Sequence, residues 1–260
     1  CQRYRYPLQG GQTQECKYSG YFLVCQPRPF VVTIGNFDGV HLGHQALIRR
    51  TVNRAHKLGL RALAVTFEPH PAGVLTDNPP PALSSARQRL DLLASLGMDA
   101  TLLMPFTLEL ASVSAEEFCR AVLKEALHTH VLFIGYDFCL GRDQAGPEAI
   151  SNIGRRLGFE VMHIHAVMFE GSPVSSTRIR RALADGRLDL ANAMLGRPHT
   201  VRGMVVHGAG RGGPLLGVPT ANLEQTGLCI TVTKADDIMT HEITVEVKNE
   251  SCETEEAKAE

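Results

Sequence analysis

The segment between residues 30 and 44 constrains the fold of this 260-residue chain more than any other part of it. Residues 30–34 read FVVTI, an apolar run of β type, and residues 35–40 form a turn-like stretch with two glycines. From residue 45 to 58, apolar side chains recur at helical spacing. A helix that starts directly after a strand offers unpaired N–H groups and the positive end of its dipole. The order of strand, glycine turn and helix therefore predicts an anion site, typically for phosphate.

Two histidines, His41 and His44, stand at the predicted start of this helix, with Gly43 between them. Glycine allows a ligand to approach the backbone closely. Histidines at this spacing also occur as ordinary surface residues or as zinc ligands. A zinc site needs further cysteine or histidine ligands nearby, and the neighbouring sequence supplies none. The pair is therefore predicted to face the phosphates of a nucleotide.

Composition is that of an ordinary globular protein, with 44% hydrophobic and 20% charged residues. No apolar run approaches the roughly 18 residues of a membrane helix. The 7 cysteines are scattered without CxxC pairs, which argues against a disulfide framework or a zinc ribbon. We therefore expect a cytoplasmic location and no membrane partner, and no nucleic-acid partner is expected either.

Both ends of the chain differ from its middle. Residues 224–260 contain 3 Lys, no Arg and 10 Asp or Glu, whereas 20 of the 23 basic residues before them are Arg. This change predicts a divergent acidic tail over residues 224–260. Residues 1–29 are polar apart from a short apolar patch at 21–25. They are predicted to form a poorly ordered extension, with a transit peptide as the alternative.

Between residues 30 and 184, strand-type runs alternate with helix-type segments. A capping box, Ser114 to Glu117, begins one of these helices. Such alternation predicts an α/β domain whose mainly parallel sheet is covered on both faces. Ligands of such sheets bind at the carboxyl ends of the strands. Further strand-type runs lie at 62–67, 101–104, 131–135 and 161–165.

A second cluster of polar residues, 174–181 (VSSTRIRR), precedes a short predicted helix. Serine and threonine are common helix caps, so simple capping followed by an exposed basic turn is one interpretation. Hydroxyl and guanidinium groups at a helix start also suit polyphosphate, because arginine offers a forked and permanently charged set of donors.

The residues around the histidine pair and those at 174–181 both resemble motifs of a known protein family. The pattern G-x-F-D-G-x-H-x-G-H resembles the HxGH nucleotidyltransferase superfamily, and the wording of residues 36–44 resembles its FAD synthetase branch. Ser-Ser-Thr-x-x-Arg resembles the second phosphate-binding motif of the same superfamily. The resemblance implies a Rossmann-like domain that transfers AMP from ATP to FMN with Mg²⁺. It implies His41 and His44 as catalytic residues, and as ATP-binding residues Gly35, Asn36, Phe37, Gly43, Ser176, Thr177 and Arg180.

Two further motifs resemble flavin-site segments of FAD synthetases. Residues 67–71 read FEPHP and end the second strand, where a loop stiffened by proline would be the purely structural reading. Residues 135–141 read GYDFCLG, in which Cys139 and Leu140 depart from the family's Arg and Phe. The flavin-binding residues implied are Phe67, Pro69, Pro71, Asp137 and Phe138.

Beyond residue 199, the chain resembles the opening of a riboflavin kinase domain, including a P-T-A-N motif at 219–222. A flexible hairpin would have a similar composition. The resemblance implies a kinase site at Gly217, Pro219, Thr220 and Asn222, with Thr220 and Asn222 as Mg²⁺ ligands if that site forms. Residues 224–260 show no further kinase motif, so an incomplete β-barrel-type domain without kinase activity is expected.

The resemblance covers about residues 30–223 and is to the prokaryotic bifunctional riboflavin kinase/FAD synthetase family. The implied organisation is an extension (1–29), an FMN adenylyltransferase domain (30–186), the start of a kinase domain (187–223) and an acidic tail (224–260). ATP, FMN and riboflavin are the expected small-molecule partners. Two alternatives stay open: a transferase acting on another phosphate substrate, and an inactive remnant that binds flavin nucleotides.

Overall fold

The computed structural model describes residues 29–206 and four short strands outside that range, with side chains described for residues 29–201. Two of these strands, β1 (Arg5–Pro7) and β2 (Thr13–Glu15), form an antiparallel pair. The other predictions for residues 1–28 lie outside the described residues. Within the described part of the chain, no helix combines the length and apolar character needed to cross a membrane.

The central sheet has five strands, all parallel, in the order β5-β4-β3-β6-β7. All five residues of β3 are buried, as are the six inner residues of β4. Such continuous apolar runs are typical of strands covered on both faces. The strands are β3 (Phe30–Ile34), β4 (Arg61–Glu68), β5 (Ala100–Pro105), β6 (Thr129–Gly135) and β7 (Glu160–Ile164).

Helices connect these strands. The helix predicted to begin with the capping box at Ser114 is present, but its second part has π-helical hydrogen bonding over Cys119–Ala126. A two-stranded hairpin of β8 (Met168–Phe169) and β9 (Ser172–Pro173) precedes α7. The helices are α1 (Leu42–Leu58), α2 (Pro71–Leu75), α3 (Ala86–Ser95), α4 (Leu108–Ala111), α5 (Ala115–Phe118), α6 (Pro147–Leu157), α7 (Ser176–Ala184) and α8 (Leu188–Leu195).

Each face of the sheet has its own apolar core. On β3, Phe30, Val32 and Ile34 pack in a core with α5 and α6, whereas Val31 packs in another with α1 and α3. Alternate residues of a strand point to opposite faces, so the two cores lie on the two sides of the sheet. A third core joins α7 and α8. The predicted α/β domain with a covered parallel sheet is therefore confirmed.

The order of the strands locates the site. From β3 the chain adds β4 and β5 on one side, and β6 and β7 then extend the other side. The connections therefore diverge at the carboxyl ends of β3 and β6, which is where open α/β sheets bind ligands.

Residues after α8 contribute a separate three-stranded sheet. Strand β10 (Thr200–Val206) lies between β11 (Asn222–Glu224), which is antiparallel to it, and β12 (Thr244–Lys248), which is parallel to it. These strands are the part of the predicted kinase segment and tail that the structure describes. Residues Gly217, Pro219 and Thr220 lie outside the described residues, and no side chain is described for Asn222.

Candidate active site

A cleft of about 870 Å³ opens at the carboxyl ends of the strands. Its walls come from the segments that follow the five strands of the central sheet and from the start of α7. The cleft is lined by all of the predicted catalytic and ATP-binding residues, and by four of the five predicted flavin residues. The fifth, Pro69, is absent from the described lining; the peptide bond before it is cis.

The loop after β3 has an unusual backbone. Phe37, Gly39 and Val40 all have positive φ, of 50°, 76° and 41°. A β-branched residue such as Val40 rarely adopts this conformation, which persists only when the surrounding structure enforces it. Phe37 and Val40 are fully buried, so packing supplies part of that enforcement.

The side chain of Asp38 also helps to hold the loop after β3 in this conformation. Its carboxylate is 2% exposed and accepts hydrogen bonds from the backbone N–H groups of Leu83 and Ser84 and from the hydroxyl of Ser84. It also pairs with the guanidinium of Arg180 on α7, at 2.5 Å. With these partners around both oxygens, the carboxylate acts as a structural centre of the loop and is not placed to serve as a general base.

His41 caps the start of α1. Its Nδ1 accepts the backbone N–H of His44 at 3.3 Å, and the two imidazole rings stack with centroids 3.7 Å apart. An Nδ1 that accepts leaves the proton of the neutral ring on Nε2. Burial lowers the pKa of His41 to about 4, so the ring is neutral near pH 7 and offers a single N–H.

His44, the second ring of this stack, also lines the cleft. Its Nδ1 is buried without a hydrogen-bond partner among the described residues, which leaves Nε2 to meet a ligand. Burial, and then the neighbouring His41, hold the pKa of His44 well below its usual range. The edge of the Phe37 ring supports the imidazole from the core, with centroids 5.3 Å apart. Both imidazoles are thus neutral near pH 7, and each is held by contacts with neighbouring rings.

Gly43 leaves room for this stack. A Cβ at this position would lie 3.1 Å from Cε1 and 3.2 Å from Nδ1 of His41. Gly43→Ala should therefore displace the His41 ring by a few tenths of an ångström and lower kcat roughly tenfold, less than a full 1 Å misplacement would. The melting temperature should hardly change, because alanine is favoured inside a helix.

Steady-state rates and thermal unfolding of Gly43→Ala would be compared with those of Gly73→Ala. Gly73 lies in α2, and a Cβ there meets no atom within 4 Å. Equal rates for the two variants would show that turnover does not depend on the short distance between Gly43 and the His41 ring.

The start of α7 reaches the same cleft. Ser175, which the sequence reading did not single out, is the helix cap and accepts the backbone N–H of Arg178. Ser176 donates its hydroxyl to the carbonyl of Asp38, and Thr177 is exposed at the cleft. The structure therefore brings α7 and the loop after β3 together through direct hydrogen bonds.

Arg180 makes more hydrogen bonds within the protein than the sequence suggests. Besides Asp38, it binds the carbonyl of Pro81 through Nε at 2.7 Å. Only Nη1 is left without a bond to the described residues. Arg178 holds the β8–β9 hairpin through the carbonyls of Phe169 and Ser172.

The other end of the cleft is apolar. Phe67 and Phe106 meet edge to face with centroids 5.6 Å apart, and Phe118 and Phe138 lie on the same lining. Aromatic walls of this kind suit a flat ring system. Asp137 and Cys139 are exposed there, whereas Leu140 is buried and its backbone pairs with that of Ala145. Leu140 therefore has a packing role.

Two residues that line or support the cleft were not predicted as site residues from the sequence. Arg89 is 2% exposed and donates to the carbonyls of Asn36 and Phe67 and to the carboxylate of Glu68. It thereby ties the loop after β3 to the carboxyl end of β4. His70 lines the cleft and caps α2, and burial lowers its pKa. Its place between the two prolines of the FEPHP motif was the available signal for His70; Arg89 had none.

Comparison with known proteins extends this picture. A family model described as FAD synthetase matches residues 24–178, more than half of the chain. The chain belongs to the FAD synthetase family. A second model, riboflavin kinase, matches residues 195–251.

Among curated relatives of this FAD synthetase family member, the bifunctional riboflavin kinase/FMN adenylyltransferase of Pseudomonas fluorescens is 39% identical over 76% of the chain and 63% of the relative. The Escherichia coli K12 protein of the same name is 37% identical over 74% and 62%. The chain thus spans less than two thirds of the length of these relatives. A crystal structure described as a macrolide-efflux protein from Streptococcus pneumoniae is 35% identical, with a TM-score of 0.68 over 77% of this chain and 65% of that one.

Proposed function

We propose that the protein is an FMN adenylyltransferase, which converts ATP and FMN to FAD and pyrophosphate. The observation that carries the proposal is a single cleft with two chemically different ends. Neutral histidines and a hydroxyl-bearing helix start lie at one end, and four phenylalanines at the other. A reaction that joins a nucleotide phosphate to a flavin phosphate needs both ends in one cavity.

The reaction needs position and charge stabilisation more than acid–base chemistry. The phosphate of FMN is already an anion at neutral pH and attacks the α-phosphorus of ATP, and pyrophosphate leaves from the opposite side. Holding the two reactants in line supplies much of the rate enhancement. Fixed N–H groups directed at the phosphate oxygens stabilise the charge that develops in the transition state.

The histidine pair is suited to that role. The pKa of about 4 for His41 excludes an imidazolium as the resting form near pH 7. In our proposal, the Nε2–H groups of His41 and His44 donate to the phosphate oxygens and keep their protons. The start of α1 adds backbone N–H groups and the positive end of its dipole. Gly35, Asn36 and Phe37 form the adjoining wall of the phosphate end.

Ser176, Thr177 and Arg180 are proposed to hold the outer phosphates of ATP. The Thr177 hydroxyl is exposed at the cleft, and Arg180 has Nη1 available without losing its pair with Asp38. Phe67, Phe138, Asp137 and the proline-flanked loop with Pro69 and Pro71 are proposed to border the flavin.

Mg²⁺ is proposed as the cofactor. Among the described residues, no group of three His, Cys, Asp or Glu side chains could hold a metal ion, and the Asp38 carboxylate is already surrounded by donors. This donor set does not fit a metal site built by the protein alone. Mg²⁺ commonly binds through substrate phosphates, so the phosphates of ATP would hold the ion. Thr220 and Asn222 remain proposed ligands of a separate kinase site.

Incubation with ATP, Mg²⁺ and either FMN or riboflavin, followed by chromatography of the flavins, tests the proposal. We expect this chain to make FAD from FMN and no FMN from riboflavin, because residues 224–260 show no further kinase motif. If no FAD forms but FMN stays bound to the protein, the result would favour an inactive protein that binds flavin nucleotides. Adenylylation of nicotinamide mononucleotide or phosphopantetheine in place of FMN would favour a transferase with another substrate.

A further inference from the structure

We propose that Arg197 is a positioning residue of the adenylyl-transfer site, because its guanidinium holds the backbone loop that orients His41. The proposal rests on the adenylyltransferase function proposed above. Arg197 follows α8 and lies 11 residues beyond the boundary expected for the transferase domain at residue 186. Neither phosphate-binding motif contains it.

The contacts of Arg197 are with backbone carbonyls. Its Nη2 donates to the carbonyl of Gly39 at 2.6 Å, and its Nη1 donates to those of Val40 and Leu195 at 3.2 and 3.3 Å. Gln45 reinforces the same junction, because its Nε2 donates to Val40 and Leu195. Two side chains thus join the end of α8 to the loop after β3.

This loop requires such support. Gly39 and Val40 have positive φ, and Val40 is β-branched and fully buried. A left-handed Val40 has a conformational penalty that the surroundings must offset. Without Arg197 the buried Gly39 carbonyl would lose its side-chain donor, which would add a further penalty, whereas the Val40 carbonyl would keep Gln45 as a donor. Arg197 binds both carbonyls at once, which lysine could not do with the same fixed geometry.

The loop leads directly into His41. Val40 is its neighbour, and the Nδ1 of His41 must face the N–H of His44 for Nε2 to carry the proton. A change at Gly39 or Val40 therefore changes the direction and the tautomer of the catalytic imidazole. Arg197 acts through the loop and is not proposed to touch the substrate.

Arg197 also contributes electrostatically. Among the described residues, the charges that act on the pKa of His41 are those of Asp38 in its own loop and Arg197. His44 on α1 stacks on the ring, and Arg180 on α7 pairs with Asp38. The charge of Asp38 raises the pKa of His41, and that of Arg197 lowers it, after the larger effect of burial. Arg197 therefore helps to keep the imidazole neutral.

The position of Arg197 joins the two matched regions. It lies within the residues that match the riboflavin kinase model (195–251), while its partners Gly39 and Val40 lie within those that match FAD synthetase (24–178). Helix α8 itself packs against α7 in a shared apolar core. The functional unit of the transferase therefore includes α8 and Arg197.

The test compares Arg197→Met and Arg197→Lys with Arg187→Met in the full chain. Arg187 is exposed at the start of α8 and serves as the matched control. We expect Arg197→Met to lower kcat for FAD formation at least about tenfold with KM for ATP within about twofold, since misplacing a group affects the chemical step. Arg197→Lys should fall between wild type and Arg197→Met, and Arg187→Met should match wild type.

A second readout does not depend on activity. Nitrogen-15 NMR of the histidine rings should show an unprotonated Nδ1 for His41 in the wild type. In Arg197→Met we expect mixed tautomers and a higher titration midpoint for His41. Wild-type kcat in Arg197→Met, or a lower melting temperature alone with kcat per folded molecule unchanged, would overturn the proposal. If the wild type makes no FAD, the proposed function fails, and the NMR comparison alone decides the role of Arg197.

Discussion

His44→Ala should lower the kcat of FAD formation by about 10² or more, the range seen when one preorganised transition-state donor is removed. The imidazole is neutral, stacks on His41 and is supported by Phe37, so its N–H is fixed before substrate binds. A fixed donor acts mainly in the transition state. Steady-state kinetics with ATP and FMN should therefore show the loss in kcat, with a smaller change in KM.

His56→Ala is the matched control, because His56 lies on the same helix with an exposed side chain. It should retain wild-type kcat. Circular dichroism of both variants would confirm that α1 and the sheet are intact. Wild-type turnover by His44→Ala would remove this imidazole from the proposed mechanism.

Asp38→Ala should destabilise the folded protein by about 3–5 kcal/mol, as expected when one partner of a buried, hydrogen-bonded ion pair is removed. The variant leaves the guanidinium of Arg180, 13% exposed, without its counter-charge. It also leaves the N–H groups of Leu83 and Ser84 without acceptors. For a domain of this size, the melting temperature should fall by roughly 10 °C.

Thermal and urea unfolding would measure this effect, with Asp77→Ala as the control. Asp77 is exposed in the segment between α2 and Leu83 and should change stability by less than about 0.5 kcal/mol. If Asp38→Ala unfolds at the wild-type temperature, the carboxylate does not hold the loop together in the way its contacts imply.

Local patterns were sufficient to predict the sheet and the two histidines that line the cleft at the start of α1. The apolar run of β3 and the helical spacing after His44 each depend on residues within one element. The capping box at Ser114 is equally local, and the structure has it. Such signals can be read from sequence, because the interactions that produce them connect near neighbours.

The support of the site could not be predicted in that way. Asp38 and Arg180 are 142 positions apart, and Gly39 and Arg197 are 158 apart. Arginine on a helix usually faces solvent, so nothing in the sequence around Arg89 suggests that it is 2% exposed. The left-handed conformation of Val40 also contradicts the preference of valine. These features depend on the tertiary fold, which opposes local propensity at this loop.

The short loop after β6 differs from the rest of the cleft in how freely it can change. Ile134 and Leu140 anchor its two ends in the core, while Tyr136, Asp137 and Cys139 between them are exposed. Exposed substitutions away from caps and buried networks alter stability little. Variants at these three positions are therefore expected to leave the scaffold intact, so libraries that test acceptor preference under the proposed function should begin there.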